Sequence, residues 1–232
     1  MTNYLILFGS VWVGVLLASL FKKNVALSTS MLLAFSGAFL FAICVLHLIP
    51  DLYHGHNHTP GLLIVIGFIS QFLLDFLSRG VEHGHAHSGD VMRGSLPIGI
   101  FTGLFIHAFL EGVPTHGMDD VSLRGFLVAI ALHKLPIAMV LFLLLKEAEI
   151  KPVRIWLSIL AFSLMAPLGA LSMEVIPGVD HWMPHISAFV IGILLHVSTT
   201  ILYESNKDHR FNVRKLSVVI LGVVLAYFTI HH

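Results

Sequence analysis

An all-α integral membrane protein with eight transmembrane helices is the fold this sequence predicts, on three observations. Charged residues make up 11% of the 232 positions and apolar residues 56%, whereas an average soluble domain carries about 25% charged residues. The apolar residues are gathered into runs, with a mean hydropathy of +0.90. The basic residues then fall in alternate loops between those runs.

A hydrocarbon core of about 30 Å needs about 20 apolar residues of helix. Suitable runs cover residues 4–21, 25–50, 61–77, 96–113, 126–145, 155–175, 183–203 and 216–230. The first is read as a span rather than a secretory signal, because no basic residue precedes it, Lys22 and Lys23 follow it, and no small-residue cleavage site is convincing. The second holds the single cysteine, Cys44, so no intramolecular disulfide forms. The fourth carries His107 and Glu111 and the fifth His133 and Lys134, while the sixth sets Ser163 near Pro167. The seventh contains His196, Ser198 and Thr200. Short connections leave no room for a soluble module, so residues 1–232 read as one transmembrane domain with His-rich loops at 51–60 and 79–93.

Lys and Arg concentrate on the cytoplasmic side of a membrane protein. Lys22, Lys23, Arg79, Arg93, Lys146, Lys151, Arg154, Lys207, Arg210, Arg214 and Lys215 all follow odd-numbered runs; of the 13 basic residues only Arg124 and the intramembrane Lys134 do not. Both termini are therefore expected on the non-cytoplasmic side. Zero net charge gives no sign of a nucleic-acid partner.

Ionisable side chains within a bilayer are costly and mark pathways or sites. Residues four apart share a helix face, so His107 and Glu111 present an imidazole and a carboxylate to the same neighbour. Three residues after His133, Pro136 removes a backbone donor and favours a kink; Pro50 stands in the same relation to His47. Irregular backbone at membrane depth is tolerated where it lines a cavity. Imidazole with carboxylate suits Zn2+, and Fe2+, Mn2+ or Cd2+ nearly as well. Gln71 and Asp75 form another four-residue pair, with Asp75 near the cytoplasmic end, where simple solvation is the alternative reading. His185 and His196 read equally well as hydrogen-bonded between helices. His54, His56 and His58 lie after the second run, and His83, His85 and His87 after the third, one cluster on each face. Such tracts read as low-affinity metal capture.

His107-Ala-Phe-Leu-Glu111-Gly112 resembles the fourth-helix motif of the ZIP family of divalent metal transporters. His133-Lys134-Leu135-Pro136 resembles its fifth-helix motif, and His47-Leu-Ile-Pro50-Asp51 the end of its second helix. The resemblance implies inverted repeats, helices 1–3 and 6–8, around helices 4 and 5, with the metal site between those two; the family also contains homodimers. Many members have a glutamate where this chain has Ile137, and polar residues where it has Ala108 and Lys134. A single metal held by His107, Glu111 and His133 is thus implied, with Lys134 and Pro136 modulating the site and His47, Asp51 and His196 along the entrance or route.

The expected function is transport of a divalent transition metal, foremost zinc, into the cytoplasm of a multi-pass membrane protein, with a bacterial inner membrane as host. The metal is cargo, and its other partner is the lipid bilayer. Without a Gly-rich Lys-Ser/Thr phosphate loop, ATP use is not expected. Two rivals are a membrane-embedded zinc hydrolase, weakened by the missing His-Glu-x-x-His motif, and a haem protein with His107 and His133 as axial ligands.

Overall fold

The computed structural model describes residues 1–20, 25–53, 58–83, 94–204 and 213–231. His54, His56, His85 and His87 lie outside the described residues. The helices are α1 (Thr2–Leu20), α2 (Val25–Ile43), α3 (Ile49–Leu52), α4 (Thr59–Ser78), α5 (Ile98–Gly112), α6 (Asp120–Glu147), α7 (Pro152–Val175), α8 (Met183–Glu204) and α9 (Val213–His231). Among the described residues, seven helical segments are long and apolar enough to cross a membrane. The eighth predicted run falls in α9.

A π-helical turn, Cys44–Leu48, joins α2 to α3 and contains His47. Pro50, at the start of α3, lacks the amide that would continue a regular ladder, and the widened turn accommodates the break. In contrast, α6 runs through Pro136 and α7 through Pro167 as single helices. Asp119 caps α6, its side chain accepting from the amides of Val121 and Ser122.

The helices pack as two groups. One comprises α1, α5, α6 and α7, the other α2, α4, α8 and α9, and they meet chiefly where α2 crosses α6 and α4 crosses α5. Without a hydrophobic drive between helices in lipid, small residues that admit close backbone approach do much of the holding. Gly112 of α5 lies against the Ala166 carbonyl of α7, and Gly169 of α7 against the Phe109 carbonyl of α5. A side chain at either position would meet backbone that cannot rotate away, so this reciprocal contact fixes the height of neighbouring Glu111. Replacing Gly169 with Leu is expected to cost about 1–3 kcal/mol, read as a lower melting temperature in detergent. Gly9, which has open space around it, is the control position: a Leu there should leave the melt unchanged.

The connection after α4 departs from expectation. Arg79 and Gly80 both adopt left-handed backbone (φ 56° and 73°), which reverses the chain and feeds a 3-10 turn, Val81–His83, back among α4, α5, α6 and α8. Val81, Glu82 and His83 are all buried. His83, expected in a solvated capture loop, is therefore part of the bundle interior. Similarly, the first His-rich loop loses Asp51 and Leu52 to α3.

Candidate metal centre

His107 and Glu111 stand one turn apart on α5 and point at α6, where His133 and Lys134 are adjacent. All four are at most 1% exposed. Glu111 Oε1 lies 3.2 Å from His107 Nε2 and 3.7 Å from His133 Nε2, while its Oε2 accepts from Lys134 Nζ at 2.5 Å. The two imidazole rings are 6.0 Å apart and nearly perpendicular. One ligand atom from each of His107, Glu111 and His133 falls within 4.8 Å of the others.

Despite these approaches, both ring nitrogens of His107, both of His133 and Glu111 Oε1 make no directed hydrogen bond. Buried polar atoms left so cost about 1–3 kcal/mol each, and five on three neighbouring side chains make an unfavourable core. A cation among the Nε2 atoms and Oε1 would satisfy three of them at once. Three protein ligands also leave a coordination position open, the form of a zinc site that must exchange what it holds.

Lys134 is held on two sides. Its ammonium pairs with Glu111 and lies 5.3 Å from the Phe162 ring centroid on α7, a cation–π distance. Glu111 thus offers one oxygen to the imidazole pair and the other to a fixed positive charge.

A second cluster joins α4, α8 and the Val81–His83 turn. Asp75 Oδ2 lies 3.1 Å from His83 Nε2 and 2.9 Å from His196 Nε2. Again, one ligand atom from each of the three falls within 4.8 Å of the others. His196 Nδ1 sits 3.1 Å from the Phe68 carbonyl, to which it can only donate, and its ring packs against Phe68 and Phe72. That donation fixes the ring with Nε2 facing Asp75, the way a second hydrogen bond orients a metal-ligating histidine. Gln71 Nε2 supports the cluster, donating to Asp75 Oδ1 at 2.6 Å and to Glu82 Oε1 at 3.1 Å. The sequence placed His196 along the entrance or route and gave solvation as the alternative for Asp75; the structure puts both on this cluster, away from His47 and Asp51.

At the opposite end of the bundle, His47 Nδ1 is 3.7 Å from Asp51 Oδ2. The Ser122 hydroxyl reaches Asp51 at 3.1 Å and also Asp119. Hydrogen bonds from Ser122 hold the Asp119 carboxyl below the usual carboxylate range. Asp51, Asp119 and Ser122 border a cavity of about 540 Å³ that is also lined by His116 and Asp180, themselves 2.9 Å apart. His58 closes the N-terminal end of α4, and His185 lies at the start of α8; neither joins a metal-ligand cluster among the described residues.

The family model described as "ZIP Zinc transporter" matches residues 82–229. Among curated proteins, zinc transporter ZIP9-B of Xenopus laevis is 33% identical over 129 residues, covering 50% of this chain and 41% of that protein. Zinc transporter ZIP9 of Micropogonias undulatus is 31% identical over 128 residues, covering 51% and 41%. The chain thus spans about two fifths of the length of these relatives.

Proposed function

This chain belongs to the ZIP zinc transporter family, and we propose that it carries divalent transition-metal ions, zinc foremost, through the site formed by His107, Glu111 and His133. The observation that carries this reading is the convergence of two imidazoles and a carboxylate from adjacent helices inside the bundle, five of their polar atoms lacking directed partners. The family is one of transporters, and the hydrolase rival finds no support. Nothing in the ligand set separates zinc from Fe2+, Mn2+ or Cd2+.

In this reading the chain crosses the bilayer eight times, α9 supplying the last span, with both termini on the non-cytoplasmic side as the basic loops require. Exposed apolar faces of α1, α4 and α9 meet lipid. Metal enters through the acidic cavity near His47, Asp51 and Asp119, binds at the central site beside Lys134, and leaves past Asp75, His83 and His196 toward the cytoplasm. The first cluster lies wholly in the α1–α5–α6–α7 group and Asp75 and His196 in the other, so relative movement of the groups would alternately open the central site to each end. His54, His56 and His58 supply capture outside, and His85 and His87 inside. A homodimer rests on the family resemblance alone, and a bacterial inner membrane gains nothing from vertebrate relatives.

Zinc uptake into proteoliposomes tests the reading. His107→Ala should lose nearly all uptake while eluting as wild type on size exclusion. Wild-type uptake by that variant would reject the site.

A further inference from the structure

Glu82 belongs to neither triad, yet it is fully buried, with 0% exposure. It reaches the interior because the left-handed pair Arg79–Gly80 turns the chain inward just ahead of it. One carboxylate oxygen, Oε1, accepts from Gln71 Nε2 at 3.1 Å; the other, Oε2, has no hydrogen-bond partner. Gln71 is equally buried, and its Oε1 is also without a donor. Its orientation is not arbitrary, because both flanking groups are carboxylates and only the amide nitrogen can face them.

Two buried oxygens without a donor, one of them on a carboxylate, therefore belong to neighbouring members of the chain of contacts Asp75–Gln71–Glu82. The Val81–His83 turn that carries Glu82 packs against α5 and α6, which hold the first cluster, and against α4 and α8, which hold the second. A buried carboxylate with an oxygen to spare calls for a cation, and a divalent metal passing between the triads would supply one.

Resting on the transport reading above, we propose that Glu82, with the Gln71 side-chain oxygen, forms an intermediate metal position that hands a divalent transition-metal ion from the His107–Glu111–His133 site to the Asp75–His83–His196 cluster. Glu82 is a ligand in transit and Gln71 both ligand and tie. An ion leaving the central site then meets a new oxygen ligand before losing its last old one, which avoids a bare cation in the bundle.

The test compares the full-length protein with Glu82→Gln, Glu82→His and His107→Ala, using zinc flux into proteoliposomes and equilibrium zinc binding in detergent. Glu82→Gln keeps shape and the Gln71 hydrogen bond but removes the charged ligand. It should bind zinc at the central site within twofold of wild type and lose at least tenfold in flux. Glu82→His, a poorer steric match but a metal ligand, should transport better than Glu82→Gln; a purely structural role predicts the reverse order. Wild-type flux in Glu82→Gln overturns the proposal, as does loss of flux that merely tracks loss of central binding. Should Glu82→Gln fail to assemble, Glu82→Leu, of similar volume and without a carboxylate, replaces it with the same criterion. If His107→Ala also transports normally, the transport reading itself falls; if His107→Ala is inactive and Glu82→Gln is not, only the relay does.

Discussion

Glu111→Ala is expected to abolish zinc flux, by more than the ~10–100-fold that follows loss of a mere supporting partner. Glu111 is the only carboxylate of the central triad and touches all three of its neighbours, His107, His133 and Lys134. Its loss also strands the Lys134 ammonium in the bundle, and breaking a buried ion pair from one side costs about 3–5 kcal/mol. A single variant therefore confounds transport with folding. Removing both charges in Glu111→Ala/Lys134→Met should restore a wild-type melting temperature, because neither charge is left uncompensated, yet flux should stay absent. Recovery of flux in the double variant would mean that the carboxylate is not a metal ligand.

Lys134→Met alone should act in the opposite sense on binding. The ammonium, 2.5 Å from Glu111 Oε2 and backed by the Phe162 ring, balances the carboxylate before metal arrives and repels the metal afterwards. Without it, the metal-free protein carries an unpaired buried carboxylate and is expected to melt lower. Zinc should then raise the melting temperature more than in wild type, as linkage requires of a ligand that binds the native state more tightly. About tenfold tighter binding, worth about 1.4 kcal/mol, should accompany slower release, so both KM and maximal flux fall. Unchanged affinity and flux would remove Lys134 from the mechanism.

Much of this was legible in the sequence because the decisive signals are local. Run length located the helices to within a few residues, as with 61–77 against Thr59–Ser78 and 96–113 against Ile98–Gly112. The spacing of four put His107 and Glu111 on one face. Cluster two was not legible. Asp75, His83 and His196 are brought together by the α4–α8 crossing and by a reversal at Arg79–Gly80, neither of which leaves a periodic trace. A glutamate beside a polar histidine tract reads as solvated, so nothing marked Glu82; the one available hint was Gly80, two residues before it, which permits the inward turn. Pro136 suggested a kink in its helix, and α6 continues through it as one helix.

The central claim is that His107, Glu111 and His133 share one ion. A zinc-edge anomalous difference map from crystals grown with zinc tests it most directly, since position separates this site from the chemically similar Asp75–His83–His196 cluster. The account predicts a peak about 2.0–2.2 Å from His107 Nε2, His133 Nε2 and a Glu111 oxygen. Zinc density elsewhere in the protein, with none between these three side chains, would contradict it.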